Sequence, residues 1–124
     1  MNDAALATNL AEEAGRLLVG LREQLFAEGA PKWKVKDAGD AASHDYLMDA
    51  LRKTRPQDAI LSEEGADDPR RRSAERVWIV DPLDGTNEFS EQGRHDWAVH
   101  VALWERGELV AGAVSLPALD RVFS

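Results

Sequence analysis

Val77-Trp78-Ile79-Val80-Asp81-Pro82-Leu83-Asp84-Gly85-Thr86 passes without a spacer from an apolar strand pattern into an acidic turn. Val77 to Val80 is β-branched and aromatic and contains no turn residue, which reads as a buried strand. Pro82 has no N–H and biases Asp81 towards an extended conformation, so regular pairing is expected to stop at Asp81. Asp81 and Asp84 are then free to turn towards one point, with the Leu83 carbonyl between them. Gly85 lets backbone approach a ligand closely. Thr86 is expected to open a short helix through Asn87, Glu88 and Phe89, and N–H groups at such a start attract phosphate.

A second acidic segment lies upstream, Leu61-Ser62-Glu63-Glu64-Gly65. It follows Ala59-Ile60-Leu61, which reads as a short strand delivering Glu63. Carboxylates, a backbone carbonyl and a hydroxyl are hard oxygen donors and suit Mg²⁺ or Mn²⁺ better than zinc or copper. The two segments together point to a magnesium site that handles phosphate. Each piece alone has a plainer reading. An isolated Asp-Pro or Asp-Gly marks a turn, and adjacent surface glutamates are ordinarily solvated. The Asp81–Thr86 segment departs from that reading because its proline, glycine and two acids each fill a defined role after an apolar strand.

The run Trp78 to Thr86 resembles the signature of the inositol monophosphatase superfamily of lithium-sensitive, magnesium-dependent phosphatases. The Glu63-Glu64 pair, 18 residues before Asp81, resembles the acidic pair of that family, and Asp40, 23 residues before Glu63, resembles a further family aspartate at a helix start. Leu61-Ser62-Glu63-Glu64, Asp84 to Phe89 and Gly93 to His100 are most similar to the CysQ-type branch, the 3′-phosphoadenosine-5′-phosphate phosphatases. Family chains run to roughly twice this length. Their second half carries another metal-ligating aspartate and most of the leaving-group pocket, and no acid after Asp84 is expected to replace it. Residues 1–124 are therefore read as the N-terminal α+β metal-binding domain, with a C-terminal domain absent from this chain.

Composition bounds the remaining possibilities. A chain of 124 residues with 44% hydrophobic content is expected to form one domain with a core. There is no cysteine, hence no disulfide framework and no thiolate metal site. A net charge of −8 argues against a nucleic-acid polymer as partner. It does not argue against a small phosphate held through a metal, since the ion supplies positive charge. No apolar run is long enough to span a membrane and the N-terminus lacks a signal pattern, so cytoplasm is the default setting.

Elsewhere the chain reads as ordinary scaffold. Residues 3–27 form one amphipathic helix, with Leu6, Leu10, Ala14, Leu17, Leu18, Leu21 and Leu25 inward. Glu28 to Gly39 is expected to be a loop or irregular strand pair punctuated by Gly29, Pro31 and Gly39, its Lys32, Lys34 and Lys36 on a solvated strand face. Asp40 is then the N-cap of a helix to about Thr54. Ala66 to Glu75 is a charged surface loop. Trp97 to Trp104 alternates as a strand, Glu105 to Glu108 turns, Leu109 to Leu116 returns, and Val122-Phe123 opens a further strand. His95 and His100 fall on opposite faces with no cysteine or third histidine near them, which argues against metal ligation. The four tryptophans are assigned to core and sheet packing.

The expected fold is α+β, helices layered against a largely antiparallel sheet, and by resemblance the N-terminal part of a layered αβαβα sugar-phosphatase-like sandwich. The resemblance implies a Mg²⁺-dependent phosphomonoesterase that removes the 3′-phosphate of adenosine 3′,5′-bisphosphate. Glu63, Asp81 and the Leu83 carbonyl would hold one Mg²⁺; Asp81 and Asp84 would share a second. Two or three ions complete the family site, with Mn²⁺ as a substitute. Glu63 and Thr86 would orient the attacking water, and Asp40 would accept a hydrogen bond from Thr86. Asp84, Gly85 and Thr86 would hold phosphate, with Glu64 behind the ligands. The implied partner is a small phosphorylated nucleotide or sugar, with neither membrane nor nucleic acid involved; a homodimer is compatible with this reading. Inositol 1-phosphate hydrolysis, a metal- or phosphate-binding module without turnover, and a structural or interaction fragment are the alternatives.

Overall fold

The computed structural model of the chain describes residues 1–62 and 73–124. Helix α1 (Asp3–Ala27) starts at Asn2, whose side chain accepts from the Ala5 N–H at 2.8 Å. It buries Leu6, Leu10, Ala14, Leu18 and Leu25, together with Arg22, while Leu17 and Leu21 are half-buried. No helix among the described residues is long and apolar enough to cross a membrane.

The next segment corrects the sequence reading. Residues 32–39 are not a loop or strand pair: they are the first turns of α2 (Lys32–Thr54), entered through Pro31 with φ −68° and ψ 156°. Proline before the first helical residue gives up an N–H that has no partner there anyway. Asp40 is therefore not an N-cap; it lies roughly two turns inside the helix. The lysines do not alternate on a strand face, and Lys32 pairs with Glu91 at 3.1 Å. Gly39 is not punctuation either. A Cβ there would meet Phe89 Cε2 at 2.5 Å and Leu83 Cδ2 at 3.0 Å, so the glycine lets α2 press against the acidic turn.

The strands are β1 (Ala59–Ser62), β2 (Arg76–Asp84), β3 (Ala98–Glu105), β4 (Glu108–Leu116) and β5 (Arg121–Phe123), and α3 (Thr86–Phe89) sits between β2 and β3. They form one sheet in sequence order, β1 parallel to β2 and the other pairs antiparallel. The β3–β4 hairpin turns through Arg106 and Gly107, with φ 51° and 80°. Two successive positive φ values match the right-handed twist of a two-residue hairpin.

The helices cover one face of the sheet. Trp78, Val80, Val99, Val101 and Leu103 point into the core with α1 and α2. Ile79 and Trp104, on the other face, remain 37% and 38% exposed. Val77 to Val80 is thus an alternating strand and not one buried on both faces, as expected of antiparallel pairing with a single helical layer. Of the tryptophans, Trp78 and Trp97 are core; Trp33 on α2 is largely exposed.

A polar cluster ties the ends of four elements together. Asp58 accepts from Trp78 Nε1 at 2.9 Å and from Arg76 Nε at 3.1 Å. Asp3 accepts from Arg76 at 3.0 Å and Arg55 at 3.1 Å. Burial works to raise the Asp3 carboxyl, but hydrogen bonds from Arg55 and Arg76 outweigh it and hold the group below the usual carboxylate range. A folded value below the unfolded one contributes stability above the unfolded value and loses it as pH falls through the folded value.

Stability measured by urea unfolding should fall below about pH 4, and Asp3→Asn should be less stable at neutral pH with a shallower acid limb. An acid limb unchanged in Asp3→Asn would remove Asp3 from the account. Gly39→Ala should destabilise by about 1–3 kcal/mol through overpacking, although alanine favours the helix interior by about 1 kcal/mol. A more stable Gly39→Ala protein would refute the close approach.

Candidate active site

The acidic turn is produced by a slip in strand register. Asp81 pairs with His100 and Asp84 pairs with Ala98, so β2 advances one residue more than β3 across this interval. Such an inserted residue is a β-bulge. In a regular strand, residues three apart point to opposite faces. The bulge reverses the alternation, and Asp81 and Asp84 come to the same place. One donor atom each from Asp81, Asp84 and His100 lie within 4.8 Å of one another.

Pairing therefore does not stop at Asp81; it is offset and resumes at Asp84. Pro82 occupies the bulge, where a missing N–H breaks no ladder bond. Its carbonyl accepts from the buried Ser43 hydroxyl of α2 at 2.7 Å. The Leu83 side chain goes into the core, 3% exposed. Its carbonyl lies 3.4 Å from Thr86 Oγ1, and Thr86 Oγ1 is 3.3 Å from Asp40 Oδ1. Gly85 caps α3 at φ 87°, where a Cβ would meet the Asp96 carbonyl at 2.9 Å. Both the left-handed backbone and the close approach require glycine.

The structure thus gathers Asp40, Asp81, Leu83, Asp84, Gly85 and Thr86 into one corner. Glu63 and Glu64 lie outside the described residues, as do residues 66–72 of the expected charged loop. Asp40, Ser43 and His44 share one stripe of α2 at helical spacing. Asp40 reaches Thr86, Ser43 reaches the bulge, and His44 Nδ1 lies 3.1 Å from Ser62 Oγ at the end of β1.

Three contributors escape the sequence reading. His100, set aside as a ligand candidate, stands with its Nε2 3.0 Å from Asp84 Oδ2. The alternation of β3 places it on the face opposite Val99, but only the β2–β3 register shows that Asp81 is opposite. Ser43 carries no local signal at all. Arg22 lies in the apolar stripe of α1, and its guanidinium donates to the Phe89 carbonyl at 2.6 Å, that of Glu91 at 2.5 Å and that of Glu88 at 3.3 Å. It also lies against the rings of Phe26, Phe89 and Trp97 at 5.3–5.7 Å. Burial pushes its pKa down, yet arginine stays charged in proteins and so can cap the carbonyls that end α3.

The donor set fits a hard divalent cation. Two carboxylates converge beside a carbonyl and a hydroxyl, which suits Mg²⁺ or Mn²⁺. The single imidazole is within hydrogen-bond reach of Asp84 and is placed to orient that carboxylate.

Residues 4–124 match the Inositol monophosphatase family. The 3′-phosphoadenosine 5′-phosphate phosphatase of Mycobacterium leprae is 50% identical over 127 residues, covering 95% of this chain and 46% of that protein. The 3′(2′),5′-bisphosphate nucleotidase CysQ of Escherichia coli K12 is 39% identical over 90 residues, or 70% of this chain and 35% of that protein. Among solved structures, inositol monophosphatase-II from Staphylococcus aureus superposes with a TM-score of 0.82 at 30% identity, covering 95% of this chain and 42% of that one. The chain thus spans less than half the length of each of these relatives. Its α+β fold, its bulged acidic turn and the match over nearly all its residues together make it a member of the inositol monophosphatase family.

Proposed function

We propose that this chain carries the metal- and phosphate-handling part of a magnesium-dependent phosphomonoesterase acting on the 3′-phosphate of adenosine 3′,5′-bisphosphate. The observation that supports it most is the convergence of Asp81 and Asp84 at the bulge, beside the Asp40–Thr86 contact. The nucleotide as substrate draws on the printed names of the mycobacterial and CysQ relatives. The likeness to a staphylococcal inositol monophosphatase favours inositol phosphate as the second reading. Parallel assays with adenosine 3′,5′-bisphosphate and inositol 1-phosphate decide between them.

In this reading Asp81, Asp84 and the Leu83 carbonyl, with Glu63, hold the ions. A bound divalent cation supplies charge that neutralises phosphate oxygens and makes a water more acidic. The protein's own groups supply orientation. With its proton held by Asp40, the Thr86 hydroxyl turns a lone pair outwards and accepts a hydrogen bond from the attacking water. Glu63 accepts a second. N–H groups of Gly85 and Thr86 stand to receive phosphate oxygens where negative charge develops. His100 keeps Asp84 in its ligating orientation.

In a chain spanning the full length of the relatives, Thr86→Ala should leave fold and Mg²⁺ affinity nearly intact and lower kcat by about 10²–10⁴-fold with little change in KM; residues 1–124 alone should bind Mg²⁺ weakly and show little or no turnover. Asp40→Asn should behave similarly, and the double variant should fall short of additivity, because both act on one hydrogen-bonded unit. Asp81→Asn should instead raise the Mg²⁺ requirement as activity falls. Millimolar Li⁺ should inhibit, as the family resemblance implies. Full activity in excess chelator would refute the metal reading; full activity of Thr86→Ala would refute the water relay alone.

A further inference from the structure

Arg22 is the single charged side chain in the buried stripe of α1, 9% exposed. Burying a cation is costly unless polar partners replace its water. The partners of Arg22 all belong to α3 or the residues just after it: the carbonyls of Glu88, Phe89 and Glu91. The Ser90 hydroxyl serves the remaining carbonyl of that end, donating to Asn87 at 2.6 Å. α3 is one turn long, too short to hold its own shape.

The grip on the end of this turn reaches its beginning through two peptide groups. The Phe89 carbonyl and the Ser90 N–H share one planar peptide. Arg22 Nε donates to that carbonyl at 2.6 Å, and that N–H donates to the Thr86 carbonyl at 3.1 Å. The Glu88 carbonyl and the Phe89 N–H share the peptide before it. Arg22 Nη2 donates to this carbonyl at 3.3 Å, and this N–H donates to the Gly85 carbonyl at 2.9 Å. Each peptide is thus held by Arg22 on one side and by Gly85 or Thr86 on the other. The Phe89 ring, edge-on to Trp97 at 4.9 Å, lies against Gly39, the residue before Asp40. The arginine therefore backs the place where Asp40 and Thr86 meet.

We propose that Arg22 is a positioning residue for Thr86, so that a buried side chain of α1, hydrogen-bonded only at the far end of α3, sets the aim of the Thr86 hydroxyl. The proposal rests on the Asp40–Thr86 water relay above and extends it to a residue without a role in that reading.

The test is steady-state kinetics on a chain spanning the full length of the relatives, with whichever of adenosine 3′,5′-bisphosphate and inositol 1-phosphate it hydrolyses. The variants are Arg22→Met, Arg22→Lys, Thr86→Ala and the Arg22→Met/Thr86→Ala double, with thermal melts and Mg²⁺ dependence measured beside the rates. Arg22→Met keeps an apolar stem in the cage but donates nothing. Its kcat should fall by about 10–10²-fold, the scale of a small misplacement, with KM and the Mg²⁺ requirement little changed. Arg22→Lys, which keeps a charged donor, should lose less. In the Thr86→Ala background Arg22→Met should cost little more, because the group it aims is gone. An arginine that only stabilises the fold predicts the same loss in both backgrounds. Unchanged kcat in Arg22→Met, or an equal loss with and without Thr86, would overturn the positioning role. If Arg22→Met does not fold, Arg22→Lys and its double with Thr86→Ala decide on the same terms. Full activity of Thr86→Ala would overturn the relay, and hydrolysis of neither ester the proposed function, and this inference with either.

Discussion

One inserted residue in β2 underlies the candidate site. Without it, Asp81 and Asp84 would face opposite sides of the sheet, one towards the helices and one away. The insertion brings both carboxylates to one point and sends Leu83 into the core, where hydrophobic burial holds the irregular backbone in place. Proline suits the position because the bulged residue has no ladder partner to lose. Gly85 then turns the chain through a left-handed conformation against Asp96 and Trp97. The local sequence, read residue by residue, is a set of answers to the geometric demands of a bulge followed at once by a helical turn.

A bulge alone would not hold like charges together. Asp81 and Asp84 repel each other at this separation, and the surrounding scaffold must resist it. The α2 stripe does so from one side. Ser43 engages the Pro82 carbonyl, Asp40 engages Thr86, and Gly39 brings the helix close enough for both. Arg22 of α1 works from the opposite end, capping the last carbonyls of α3 inside a cage of Phe26, Phe89 and Trp97. α3 is too short to be stable by itself. It persists because its first residue and its last carbonyls are each held by a different long helix.

What could be read in the sequence follows from how local each signal is. α1 was legible because its leucines recur at helical spacing, and the β3–β4 hairpin because alternation is unbroken on both sides of its turn. The start of α2 was not. Its inward positions Val35, Gly39, Ser43 and Leu47 keep a spacing of four, but two of them are a glycine and a serine. Hydropathy is silent there, while Gly29, Pro31 and Gly39 mimic loop punctuation. The acidic turn was legible as a cluster of acids around a proline and a glycine but not as geometry. Proline suggested an end to pairing, where the structure has an offset. The contact of His100 with Asp84 is hidden for the same reason: its neighbourhood is set by inter-strand register, which a single strand's pattern does not contain. Arg22 reads as one polar residue in an apolar stripe, and only the position of α3, far along the chain, explains it.

These constraints also explain how Asp81 and Asp84 come together at this corner. The parallel pair sets Ser62, the last described residue of β1, level with Val80, the residue before Asp81. From Asp81 on, β2 stays paired with β3 in the offset register of the bulge, and that offset, together with helix contacts, aims its side chains. α2 offers polar side chains at a spacing that reaches both strands, Ser43 to the Pro82 carbonyl and His44 to Ser62. A cation bound there would meet carboxylates aimed by hydrogen bonds that already exist in the protein, so little ordering would remain to be done on binding. Contacts from the core side hold the corner, and the Asp84 carboxylate is exposed on the other side, at the end of the sheet.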